Sequence, residues 1–234
     1  MPKPAGKKSL ADSLISAAIL VFIYLVVGFA LNLLVALIYQ SGYLGYNNSR
    51  FLSDVASLLS LSIAVILYLL LFKRLSFRKA VQGLGFSQKK GAKRTGKVRL
   101  VWLGLAIFIA IFIFEMAVGL IGQATNTQIN TNVSAVLAGA PLWFYIYSAI
   151  IEPINEEIFF RGFLVPRIGI LASSLIFGFA HYTYYSTFGI EVIAAFTFGT
   201  LAGYVFKKTR SIYPGIIAHI LVNSLAVIVM LAIA

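Results

Sequence analysis

Apolar runs such as Leu14 to Tyr39 recur along this chain, several reaching the ~20 residues needed to cross a bilayer. In hydrocarbon a backbone must satisfy its own hydrogen bonds, and runs of this kind do so as helices. The expected fold is therefore all-α, a polytopic transmembrane helical bundle. Composition agrees: the chain is 60% hydrophobic and 11% charged, where a soluble domain carries roughly a quarter charged residues. About seven spans are predicted, at 13–39, 51–72, 99–122, 141–167, 169–185, 190–206 and 212–233. Residues 1–12 form a basic start, 13–122 hold the first spans with a basic loop at 73–99, and 141–233 form the membrane domain that carries the chemistry.

The basic residues set the orientation. Lys3, Lys7 and Lys8 precede the first span; ten Lys and Arg lie between Lys73 and Arg99 with no acid among them; Lys207, Lys208 and Arg210 lie between the last two spans. With seven spans, all these groups fall on one side, which is then cytoplasmic, N-terminus included. The 123–140 loop falls on the other side, has no Lys or Arg and is rich in Asn and Thr. The net charge of +12 is thus placed beside membrane spans, where it suits anionic lipid headgroups rather than nucleic acid. A short surface helix from Phe77 to Leu84 is one reading of the basic loop, and a solvated tether is the other. The first apolar run is too long for a signal-peptide core and is read as a span that stays attached. The chain has no cysteine, which removes thiol catalysis, Cys-ligated zinc and disulfides.

Ionisable side chains in such a chain need a reason, because each costs at least ~2.5–3.5 kcal/mol near mid-bilayer. Glu156, Glu157, Arg161, His181 and His219 gather in the second half, and the two histidines are the only ones in the protein. Glu115 and Glu152 also interrupt apolar segments, and Glu191 stands at a span edge. Glu157 and Arg161 are spaced i, i+4, share a helix face and can pair. Glu156 is rotated ~100° away and faces something else. Glu152, one turn earlier, shares the Glu156 face, so one of the two is protonated or meets water. Helical rise puts Glu156, His181 and Asn223 each about 16 Å from the basic side, and His219 about 10 Å. Three helices thereby deliver polar groups to similar depths. His219 and Asn223, again i, i+4, face one way. Because these groups lie nearer the basic end, a cavity opening to the cytoplasm is expected.

A carboxylate beside an imidazole can activate water, and imidazole N–H or an Asn amide can stabilise an oxyanion. Glu156 with His181, and His219 with Asn223, make a set sufficient for amide hydrolysis. Two His and a carboxylate also suit a divalent metal such as zinc, although no HExxH occurs. Asp12 and Asp54 lie near the ends of early spans and offer no aspartyl dyad. Ser173 and Ser224 lack a nucleophile turn. Pro153, three residues before Glu156, either is a tolerated membrane proline or kinks the span to widen a water-accessible space. Gly199 and Gly203 form a GxxxG pair suited to close helix packing.

The segments EEIFFRG, FGFAH and HILVN resemble the three motifs of the CPBP intramembrane protease family, which includes CAAX prenyl endopeptidases and Abi-type bacterial proteins. The resemblance runs from about residue 141 to 230, with Glu156, Glu157 and Arg161 matching the first motif, Phe177 and His181 the second, and His219 and Asn223 the third. It implies a membrane-embedded endopeptidase in which Glu156 activates water, His181 assists, and His219 with Asn223 stabilises the oxyanion. Both metal-dependent and metal-free glutamate mechanisms are argued for that family. Glu152 departs from its pattern, which places an apolar or small residue before the Pro. Substrates compatible with the resemblance are membrane-bound peptides: prenylated C-termini, bacteriocin-related peptides or membrane regulators. The rival readings are a non-catalytic scaffold or bacteriocin-immunity-type protein, and a proton-coupled transporter using Glu and His as a relay. A transporter would more often show inverted repeats, whereas here the polar residues cluster in one half.

Overall fold

The computed structural model describes residues 10–87, 95–125, 139–185 and 190–233. Lys3, Lys7 and Lys8, the centre of the basic loop and most of the Asn/Thr-rich loop lie outside them. Every described element is helical. Helix α1 spans Leu10–Gln40, and α2 spans Tyr46–Leu67 and ends in a π-helical turn over Tyr68–Phe72. The basic loop does hold a short helix, α3, Phe77–Gly83, followed by α4, Lys97–Ala124. Helix α5 begins at Leu142–Ile146, opens into a π turn at Tyr147–Ile151, resumes over Glu152–Glu157 and widens again over Ile158–Leu164. Helix α6 is Val165–Tyr185, α7 is Ile190–Thr209 and α8 is Tyr213–Ile233.

Five stretches are long and apolar enough to cross a membrane: Ile15–Gln40, Tyr46–Phe72, Lys97–Ala124, Leu142–Tyr182 and Tyr213–Ala232. The protein is a polytopic helical membrane protein. Helix α7 is not among these five; it carries Glu191 in its first turn and Lys207 and Lys208 in its last. The stretch Leu142–Tyr182 is 41 residues long, yet it is not one straight rod. Gly169 has φ 87° and ψ 173°, a region that is essentially glycine-only. The chain reverses there. Ser173 Oγ donates to Phe160 O at 2.9 Å, whereas thirteen residues of straight helix would separate them by roughly 20 Å. That bond also accounts for Ser173, a buried serine spent on helix packing.

Lipid is as apolar as leucine, so helices in it associate through close packing and internal polar contacts. The bundle shows both. Gly199 faces Ser174, where an added Cβ would meet the Ser174 Cα at 3.2 Å, and Gly203 faces Ile170 at 3.0 Å; the GxxxG pair is the seam between α6 and α7. Asn155 donates to Leu58 O and accepts from Ser62 Oγ, fixing α5 to α2. The segment after α3 docks from outside: Ile212 N–H donates to Gly85 O at 3.1 Å, and Leu84 packs so tightly on Gly162 that a Cβ there would sit 2.8 Å from its carbonyl oxygen.

Candidate functional site

The glutamate pair lies between two departures from regular helix. Pro153 has no N–H to offer Ala149, and the π turn just before it absorbs the mismatch, Glu152 N–H reaching five residues back to Tyr147 O. The second π segment follows Glu157, with Val165 N–H on Phe160 O. Such widened turns commonly occur at functional sites. Asn155, Glu156, Glu157, Phe160 and Arg161 are all buried.

Glu157 and Arg161 pair as their spacing predicts, Arg161 Nη1 standing 3.0 Å from Glu157 Oε1. Glu157 is 0% exposed and Arg161 1%. Among the described residues the guanidinium Nε and Nη2 meet no hydrogen-bond acceptor. Aromatic faces stand there instead. The guanidinium carbon lies 4.3 Å from the Phe177 ring centroid, 5.0 Å from Phe198 and 5.9 Å from Phe160, an arrangement in which desolvated cation–π attraction is worth about 2 kcal/mol or more. The cage draws on α5, α6 and α7, and only its Glu157 and Phe160 contacts are local in sequence. Gly215 of α8 completes it, since a Cβ there would run into the Glu157 carboxylate.

Glu156 faces the other way, into a cavity of about 710 Å³ that also presents His181, His219 and Asn223. The four residues expected at one site all line this cavity. The imidazole nearest Glu156 is that of His219, whose Nε2 lies 3.5 Å from Glu156 Oε2 while its Nδ1 lies 3.4 Å from Glu157 Oε1. His219 thus touches both carboxylates, a bridge that spacing along the chain could not reveal. His181 stands on another wall with its Nδ1 2.9 Å from Phe177 O. A carbonyl oxygen only accepts, so Nδ1 carries the proton and Nε2 has the lone pair in the neutral ring. The Phe177 ring contacts both imidazoles, at 4.5 Å from His181 and 5.8 Å from His219. Asn223 Nδ2 donates to Ser148 O at 3.0 Å, on the first π turn of α5, leaving a second amide hydrogen on the same nitrogen.

Three further acids line the cavity beyond those expected at the site: Asp54, Glu115 and Glu191. Glu152 lines it too. Charge within apolar segments was the signal for Glu115, but only the packing of α2, α4, α5 and α7 brings these side chains to one space. The cavity's walls run through both halves of the bundle: through Glu115 of α4, Glu191 of α7 and Val227 of α8, remote from Lys97, Lys207 and Lys208, and through Leu20 of α1 and Ala64 of α2 toward the basic loop. Toward the basic loops the bundle is filled by Phe160, Phe177 and Phe198 and then by Val165, Phe206, Ile212 and Ile216. Equal depth brought the polar groups to one cavity, between these packed clusters and the apolar walls of α1 and α2. Among the described residues no group of three His, Asp or Glu side chains is arranged to hold a metal ion. His219 turns one ring nitrogen to each glutamate instead, so the donor set does not fit a resident divalent metal as it stands.

Residues 137–225 match the family model described as type II CAAX prenyl endopeptidase Rce1-like. That segment is similar to the Rce1-like, CPBP family. It contains α5 to α8 up to Asn223, and so every residue of the cage and of the four-residue site. Two proteins of Bacillus subtilis (strain 168) are similar to the chain. "Putative membrane peptidase YdiL" is 25% identical over 231 residues, covering 91% of this chain and 88% of its own length. "Uncharacterized protein YpbD" is 23% identical over 128 residues, covering 54% of this chain and 67% of its own. No solved structure matches. The likeness to YdiL extends over the spans before the Rce1-like segment as well.

Proposed function

We propose that the protein is an intramembrane endopeptidase that hydrolyses a peptide bond of a membrane-associated substrate. The observation that carries this reading is the pairing of a buried carboxylate with an imidazole at the wall of a cavity large enough for a peptide segment, Glu156 Oε2 to His219 Nε2 at 3.5 Å. The match of residues 137–225 to the Rce1-like family model supports it.

In the proposed reaction a water between Glu156 and the scissile carbonyl loses its proton to Glu156 as its oxygen bonds to the carbonyl carbon. His181 assists through Nε2, the acceptor left by the Nδ1–Phe177 contact. The resulting oxyanion takes donors from the third-motif residues, His219 and the second amide hydrogen of Asn223. The proton then passes to the leaving nitrogen as the carbon–nitrogen bond breaks. No step is routed through a metal. Glu157 and Arg161 serve by holding His219 and the floor of the cavity.

The same reading assigns seven crossings, α6 and α7 forming a hairpin that follows the reversal at Gly169, and makes residues 141–233 the catalytic unit. By the charge rule the N-terminus and the basic loops are cytoplasmic, with anionic lipid headgroups opposite Lys73 to Arg99. One observation favours a second reading. Five carboxylates and both histidines facing one cavity would also suit proton-coupled transport.

The deciding experiment compares wild type with Glu156→Gln in the native host, at matched expression, by terminus-directed mass spectrometry of membrane and secreted peptides. New termini that require Glu156 establish proteolysis and name the substrate class. Identical termini in both strains reject it and turn attention to transport.

A further inference from the structure

The glutamate pair rides on only six residues of regular helix, Glu152–Glu157, with a π segment at each end. A π turn changes the number of residues per turn. The backbone ladder therefore constrains the rotation of this short piece about its axis less than a continuous α-helix would. Contacts from other helices must set which way Glu156 points. Successive helical residues project about 100° apart, so Asn155, Glu156 and Glu157 face three directions. Glu157 meets Arg161, and Glu156 meets the cavity. Asn155 meets α2.

That third contact is polar and two-sided. Asn155 Nδ2 donates to Leu58 O, and Asn155 Oδ1 accepts from Ser62 Oγ, which also lies 3.2 Å from the Asn155 backbone carbonyl oxygen. Leu58 and Ser62 stand one turn apart on α2, so a single amide spans both. Turned over, the amide would set its oxygen against the Leu58 carbonyl, acceptor against acceptor, and its orientation is thereby fixed. Asn155 and Ser62 are both buried, where an unmade hydrogen bond is costly. An apolar contact in lipid has no preferred rotation of its own, whereas a buried amide bonded at both ends selects one. Neither Asn155 nor Ser62 lines the cavity, so any effect they have on the reaction passes through Glu156. Helix α2 precedes the family-matched residues 137–225. The anchor therefore reaches the glutamate pair from outside that segment.

We propose that Asn155, held by Leu58 and Ser62 of α2, is a positioning residue for Glu156. With the Glu157–Arg161 pair on the other flank, it clamps the rotation of the Glu152–Glu157 segment and aims the Glu156 carboxylate at His219 Nε2. The proposal rests on the endopeptidase reading for the reaction that this aim serves, but the aim itself is read without turnover.

The protein has two histidines, so the full chain, isotope-labelled at histidine and placed in nanodiscs, gives NMR signals from two imidazoles, assigned with His181→Gln. Glu156→Gln marks how the His219 Nε2 signal moves when its carboxylate contact is lost. Asn155→Ala is expected to move that signal in the same sense and to leave the His181 signals, set by the contact with Phe177 O, in place. Ser62→Ala is expected to give a smaller shift of the same sense, and Ser62→Thr, which keeps the hydroxyl, the wild-type position. Should Asn155→Ala fail to fold, the two Ser62 variants carry the test. Ile154→Ala is the packing control. It thins the neighbouring cluster around Val165 and Ile216 and is expected to lower the melting temperature without moving the His219 signal. A His219 signal unmoved in the folded Asn155 and Ser62 variants, or moved equally by Ile154→Ala, overturns the positioning role. On a peptide identified by the terminus comparison, Asn155→Ala is expected to lower kcat roughly 10²-fold with KM little changed; an unchanged kcat also overturns it. A moved His219 signal in a protein that cleaves nothing would leave the clamp standing and remove the endopeptidase reading. Cleavage by wild type with the signal unmoved in the variants would do the reverse.

Discussion

The two sides of α5 carry the same residue type to opposite ends. On one side Glu157 meets Arg161 at 3.0 Å and is sealed by Phe160, Phe177 and Phe198. On the other, Glu156 meets only an imidazole and a cavity wall lined by further acids. About 100° of helical rotation separates them. The first side shows how a membrane bundle buries charge for structure, by giving it a fixed counter-ion and aromatic faces. The second shows a charge given no fixed cation and open space instead, which is what a reacting group needs. His219 joins the two sides, so the packed one sets the geometry of the open one.

The comparison breaks most severely if the cation is removed. Arg161→Leu leaves Glu157 buried without a counter-ion and should cost about 3–5 kcal/mol, seen as loss of monodisperse protein in detergent or a large fall in melting temperature. Replacing both partners, Glu157→Leu with Arg161→Leu, should recover much of that stability; failure to recover would show that the cage needs its charges for more than neutralisation. Next in size is Glu156→Gln. Loss of a general base is expected to lower turnover by roughly 10²–10⁴-fold, with a melting temperature close to wild type. A comparable collapse of fold in Glu156→Gln would erase the distinction between the two sides. Gly169→Ala should cost about 1–3 kcal/mol, because alanine is strained at a positive φ with extended ψ, and it should loosen the contact of α6 with α5 as read by protease accessibility. The smallest effect is expected from Asn223→Ala, which removes the bond to Ser148 O. It should cost about 1 kcal/mol of stability. If the amide's second hydrogen also serves the oxyanion, turnover falls by about 10²-fold or more; an unchanged rate would assign Asn223 to packing alone.

Much of this was legible in the chain itself. Long apolar runs in a medium without water admit only helices, so the class of fold followed directly. Paired spacing of Glu157 with Arg161, and of His219 with Asn223, followed from helical periodicity. So did the common depth of the polar groups, because rise per residue is fixed. The short helix at Phe77–Gly83 and the glycine seam at Gly199 and Gly203 were readable as patterns of the same kind.

What the sequence could not decide was which surfaces meet. The contact of His219 with both glutamates, the aromatic cage around Arg161 and the gathering of Glu115 and Glu191 with Glu156 join residues far apart in the chain. None has a local pattern, because in lipid an apolar face carries no mark of its partner. Periodicity fixes the depth of a side chain, but only the packing of bulky residues from several helices determines on which side of it space remains.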